Sequence, residues 1–200
     1  MVKSNKKGFT LDIAFICLLC LLPLLWLIWR GYNGDLGVNP IETIVRQLGV
    51  WGLRLLIVGL AITPVVRIFK QPRLIRWRRP IGLFAFAYIL LHLTSYIGID
   101  QYFDWGAIWK DIVKRPYITF GMIGFVLLIP LAVTSFNGAI KAIGGRVWRN
   151  LHKLIYIIVP LGVLHYYLLA KADKTMPLIY GAILLILLGW RVVDAQKRGR

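Results

Sequence analysis

The chain is short of histidine, cysteine and acid: three His, two Cys and eight Asp and Glu in 200 residues. The few acids and thiols form no cluster that could complete a zinc or di-iron site. No C-x-x-C-H motif occurs, so a haem could be held only non-covalently. No G-x-G-x-x-G follows a strand-like run, and no polar stretch is long enough for a dinucleotide-binding domain. Cys17 and Cys20 have C-x-x-C spacing but lie inside CLLC, within an apolar run where a thiolate is hard to form. They read as two inert thiols. The first apolar run is too long for a secretory signal and lacks a small-residue cleavage site. Neither an internal repeat nor a low-complexity segment is visible.

What the chain has is apolar surface: 58% of its residues are hydrophobic and only 16% are charged. That profile belongs to membrane proteins. The net charge of +17 falls in short clusters between apolar runs, not along one face, which excludes a nucleic-acid partner. Such clusters suit membrane lipid headgroups. A spanning helix needs about 20 apolar residues. Six are expected, at about 11–29, 47–66, 80–99, 117–136, 150–170 and 176–193. The fold class is therefore all-α integral membrane, a six-helix transmembrane bundle in a single domain covering 1–200. Between the spans, 30–40 reads as a Gly- and Asn-rich loop, 67–79 as a basic loop, and 100–115 as an aromatic stretch with a short interfacial helix.

Lysine and arginine set the orientation. With the N-terminus inside, Lys3, Lys6, Lys7, the six basic residues of 67–79, Lys141, Arg146, Arg149, Lys153, Arg191, Lys197, Arg198 and Arg200 are cytoplasmic. Arg30, Arg46, Lys110, Lys114, Arg115, Lys171 and Lys174 face outward, and Arg54 stays within the membrane. This imbalance places both termini in the cytoplasm. Trp and Tyr near the expected boundaries form an interfacial belt.

The three histidines are His92, His152 and His165. An ionisable group at membrane depth is costly, so each is a functional candidate. His92 lies about 18 Å along a helix from Pro80, and His165 about 22 Å from Asn150, at the usual rise per residue. Both helices run outward, so the two imidazoles share one level in the outer half of the membrane. Facing imidazoles suit a haem iron with two axial ligands. Bulky apolar neighbours suit a porphyrin slot, and Gly82 or Gly162 would either allow its close approach or serve helix packing alone. His152 lies at the inner end of the fifth helix, about 140° from His165 on an ideal helix, with Pro160 between them. Arg78 stands at the matching depth on the third helix. An inner site would pair His152 with Arg78, since two bis-His haems would need four histidines.

Several runs then stand out together: RRPIGLFAFAYILLH, KRPYITFG, PLAVTS, WRNLHKLIY and LHYY. They resemble the haem-binding membrane subunits of the periplasmic methionine-sulfoxide reductase system (the MsrQ or YedZ family). That family sits within the wider ferric-reductase-like transmembrane group, and the resemblance covers essentially the whole chain. It implies a multi-pass protein of the bacterial inner membrane carrying haem b, with His92 and His165 as axial ligands and His152 and Arg78 at the inner site. Relatives among the NADPH oxidases carry two histidines on the third helix, where this chain has Arg78 in place of one. The resemblance further implies a periplasmic molybdopterin enzyme, MsrP, as electron acceptor for repair of oxidised proteins. A quinone or a cytoplasmic flavin reductase would be the donor, with FMN associated. The subunit would carry electrons while its partner reduces the substrate. The outward stretch 104–117 is the expected docking region for that partner.

Two rival readings remain at this point. A small transporter could use His92, His165 and Arg54 as a proton or anion relay. An assembly subunit could use the histidines only as interhelical hydrogen-bond partners, worth about 1 kcal/mol each.

Overall fold

The computed structural model describes residues 6–198, and among them every regular element is helical. Lys3 and Arg200, counted above for orientation, lie outside the described residues. Six helical stretches are long and apolar enough to cross a membrane: Leu11–Tyr32, Pro40–Ile68, Pro72–Asp100, Pro116–Val133, Gly145–Leu169 and Thr175–Arg198. The chain divides into two compact units, Met1–Ser95 and Tyr96–Arg200.

The first unit holds α1 (Lys6–Tyr32), α2 (Pro40–Ile68), a 3₁₀ turn (Pro72–Trp77) and α3 (Arg78–Ser95). The second span begins at Pro40, well before the expected residue 47. Asn39 caps it, its side chain accepting from the Glu42 N–H at 3.2 Å, and Pro40 takes the first helical position. The cap signal lies in a polar stretch, and apolar periodicity alone overlooks it. Likewise the expected basic loop 67–79 is corrected: α2 runs to Ile68, the 3₁₀ turn takes Pro72–Trp77 and α3 starts at Arg78, so only 69–71 lie outside a helical element.

Within a bilayer, apolar side chains gain little by leaving lipid, so helices associate through close packing and polar bonds. The first unit uses both. Gly52 on α2 lies so close to Ile89 on α3 that an added Cβ would sit 2.5 Å from its Cγ1. Leu53, Leu56 and Leu60 on α2 are buried, as are Ile81, Ala85 and Tyr88 on α3. The Tyr88 hydroxyl donates to the Cys20 carbonyl at 2.8 Å, tying α3 to α1. Arg54 rests its guanidinium 4.6 Å from the Trp51 ring centre. Glu42, the nearest acid in sequence, pairs instead with Arg46.

In the second unit, a π-helical turn (Tyr96–Asp100) leads to α4 (Trp105–Lys114), α5 (Pro116–Val133), α6 (Asn137–Ile143) and α7 (Gly145–Leu151). A 3₁₀ turn (His152–Leu154), α8 (Ile155–Leu169) and α9 (Thr175–Arg198) complete it. The short helix expected in 100–115 is α4, capped by Asp104, whose carboxylate accepts from the Ala107 N–H at 2.9 Å. The fourth span ends at Val133, three residues earlier than expected. Thr134 and Ser135 stop it by returning their hydroxyls to the Pro130 and Leu131 carbonyls, both at 2.6 Å. The fifth span begins at Gly145, where Gly144, at φ 79°, separates α6 from α7. α5 packs on α8, where a Cβ on Gly124 would meet Leu161 Cβ at 3.7 Å and the Ile158 carbonyl at 4.0 Å, and Leu128, Ile158 and Val159 are buried; α8 packs on α9 with Tyr166 and Tyr180 ring centres 6.1 Å apart.

Candidate functional site

Each unit presents one histidine in the same way. In the first, His92 near the end of α3 meets α2. Its Nδ1 lies 2.7 Å from the Val45 carbonyl oxygen. A carbonyl can only accept, so Nδ1 carries the proton and the neutral ring keeps its lone pair on Nε2. In the second unit, His165 near the end of α8 meets α5, with Nδ1 2.6 Å from the Tyr117 carbonyl oxygen. The same tautomer follows. Both rings are half-buried.

The seats match in a further respect. Four residues after each accepting carbonyl stands a glycine, Gly49 or Gly121. A Cβ on Gly49 would lie 3.0 Å from His92 Nδ1, and one on Gly121 would lie 2.9 Å from His165 Nδ1. Each glycine opens a Gly-x-x-Gly pair, Gly49–Gly52 and Gly121–Gly124. The accepting carbonyl precedes its histidine by 47 residues in one unit and by 48 in the other. The expectation of no internal repeat is thus corrected: the repeat lies in contacts, carried by two glycines and one histidine per unit. Gly82, expected to allow close approach, faces open space, with nothing within 4 Å of an added Cβ.

The carbonyl under His165 belongs to the first turn of α5, held by a polar cluster. Asp111 accepts from the Tyr96 hydroxyl at 3.0 Å and pairs with Arg115 Nε at 3.1 Å. Arg115 also reaches the Tyr117 hydroxyl at 3.3 Å, and that bond raises its guanidinium further above the ordinary value. Thr119 donates to the Ile112 carbonyl at 2.5 Å. Next to α9, hydrogen bonds from Thr175 hold the exposed Asp173 carboxyl below its usual range.

His152 has a different setting. Its Nδ1 lies 3.1 Å from the Trp148 carbonyl, one turn back, and its Nε2 lies 3.5 Å from the Ser135 hydroxyl. Its ring lies against Trp148, with centres 4.0 Å apart. The Trp148 indole donates to the Thr134 carbonyl at 3.0 Å, which fastens this group to the end of α5. The three 3₁₀ residues from His152 add about 20° each over an α-helix. They narrow its angular separation from His165 from about 140° to about 80°. Arg78 opens α3 as an exposed residue, about 40° from His92 around an ideal helix. Among the described residues no group of three or more His, Cys, Asp or Glu is placed to hold a metal ion.

Six apolar helices and two buttressed imidazoles define a class of multi-pass membrane protein. Residues 48–163 match the family described as ferric reductase like transmembrane component. The match takes in His92 and His152 and stops two residues short of His165. Finer resemblance comes from relatives called protein-methionine-sulfoxide reductase heme-binding subunit MsrQ. That of Caulobacter vibrioides is 62% identical over 168 residues, covering 84% of this chain and 80% of the relative. That of Rhodospirillum rubrum is 54% identical over 171 residues, covering 86% and 82%. That of Herminiimonas arsenicoxydans is 50% identical over 168 residues, covering 82% and 77%. The chain belongs to the MsrQ family, within the ferric-reductase-like group.

Proposed function

We propose that this chain is the haem-carrying membrane subunit of a protein-methionine-sulfoxide reductase, with His92 and His165 as the two axial ligands of a b-type haem. One observation carries the reading: each Nδ1–H is tied to a helix carbonyl, at 2.7 Å for His92 and 2.6 Å for His165. Metal-binding histidines characteristically donate the second ring N–H to a carbonyl or carboxylate, which fixes the tautomer and raises ligand basicity. The donor set fits a ferric or ferrous porphyrin iron, and the glycine seats leave room for both rings.

Held by these two imidazoles, a haem would supply a one-electron couple and no bond chemistry of its own. The chain's own part is to hold, orient and insulate that couple. Substrate reduction belongs to a partner, in this reading a periplasmic molybdopterin enzyme that meets the outward face around α4. On the donor side stands a quinone or a cytoplasmic flavin reductase, with FMN on that side as well. His152 and Arg78 are the residues we assign to the inner, electron-receiving side. Both termini are cytoplasmic, and the membrane is the bacterial inner membrane.

The test is optical. Protein purified after haem-replete expression is expected to show a Soret band, with sharp α and β bands on dithionite reduction. A colourless preparation rejects the electron carrier and leaves the transporter or assembly subunit in its place.

A further inference from the structure

We infer that Gly49 and Gly121 are positioning residues: each uncovers a helix carbonyl to which an iron-ligating imidazole is pinned, and so fixes the ring's orientation and the haem's potential. The inference rests on the proposed haem ligation and deepens it.

A helix carbonyl points along the axis toward residue i+4, whose N–H it accepts. A side chain at i+4 covers that carbonyl on its outer flank. With glycine there, a second donor can approach from a neighbouring helix. Val45 and Gly49 stand in that relation on α2, as do Tyr117 and Gly121 on α5. In both places the approaching donor is a histidine Nδ1, and a Cβ would stand within 3.0 Å of it. The Cβ would also fall 3.1 Å from His92 Cε1 and 3.2 Å from His165 Cε1, so the whole ring edge would be displaced. Few Cβ atoms are found so close to a neighbour, and a ring tied to backbone cannot yield as a flexible chain end would.

Glycine weakens a helix relative to alanine. Its presence inside two spanning helices, each time beneath a histidine, calls for a compensating role. Helix packing is not that role at every glycine. At Gly124 an added Cβ would make ordinary contact, 3.7 Å from Leu161 Cβ, and at Gly189 on α9 it would touch nothing. Those two positions separate general crowding from the histidine seats.

An Nδ1–H to carbonyl bond gives the ring imidazolate character and stabilises ferric over ferrous iron. Its loss therefore raises the reduction potential. The test compares four single variants of the full chain in detergent: Gly49→Ala, Gly121→Ala, Gly189→Ala and Gly124→Ala. Haem-to-protein ratio and potentiometric midpoint are measured on monodisperse protein. The first two are expected to lose haem or to shift toward ferrous by about tenfold, which is about 59 mV for one electron. The other two are expected to match the unsubstituted chain. Equal midpoints and equal haem content in all four overturn the inference. If a seat variant does not fold, pulsed EPR of the remote ring nitrogens in the unsubstituted protein reads the bonds directly. Strongly hydrogen-bonded Nδ1–H at both ligands supports the inference, and a weakly bonded nitrogen at either one overturns it. Pigmented protein with unshifted seat variants defeats only this inference, whereas colourless unsubstituted protein defeats the haem reading beneath it.

Discussion

Replacing His92 or His165 by Ala is expected to give folded protein that has lost most of its haem, while His152→Ala keeps it. The contrast follows from what each ring touches. His92 and His165 are held from a neighbouring helix by one carbonyl through Nδ1, which leaves Nε2 the basic nitrogen. In the proposed ligation, deleting either imidazole would remove one of the two protein bonds to a non-covalently held iron. His152 instead engages the carbonyl of Trp148, one turn back, through Nδ1, and the Ser135 hydroxyl lies near its Nε2. Its loss is expected to slow haem reduction by the physiological donor several-fold without emptying the site. Haem-to-protein ratio measured as the pyridine haemochrome checks all three variants. Unchanged haem in His92→Ala or His165→Ala refutes the ligand assignment.

The second large effect is on potential. His165→Met is expected to retain pigment and raise the midpoint by on the order of a hundred millivolts, within the roughly 0.8 V range that axial ligands span. A thioether donates less charge than an imidazole and favours ferrous iron, as in His/Met cytochromes. The substitution also removes the bond to the Tyr117 carbonyl, and both changes act in the same direction. Were His165 only an interhelical hydrogen-bond partner, methionine would weaken packing and leave the potential where it was. Potentiometric titration of the α band separates the two outcomes.

Much of the architecture was legible because a bilayer demands long apolar runs, and the six spans follow from those runs alone. Their ends were harder to read. The Pro40 start of α2 is written in Asn39, Pro40 and Glu42, a capping signal in a polar stretch that hydropathy passes over. The break at Gly144 and the 3₁₀ turn at His152 are local departures from the ideal helix assumed for angular reckoning. The histidines could be picked out because ionisable groups are rare at membrane depth. The glycine seats could not. Each joins residues more than forty positions apart, and one chain shows nothing to link Gly49 with His92 or Gly121 with His165 until helices pack. Once paired, the shared Gly-x-x-Gly spacing makes the repeat plain.

Low-temperature EPR of the oxidised, unsubstituted protein tests the central assignment most directly, because spin state reports both axial positions at once. Ligation by His92 and His165 predicts a low-spin ferric signal accounting for essentially all the haem. A predominantly high-spin signal, the mark of an iron lacking its second strong ligand, would contradict it.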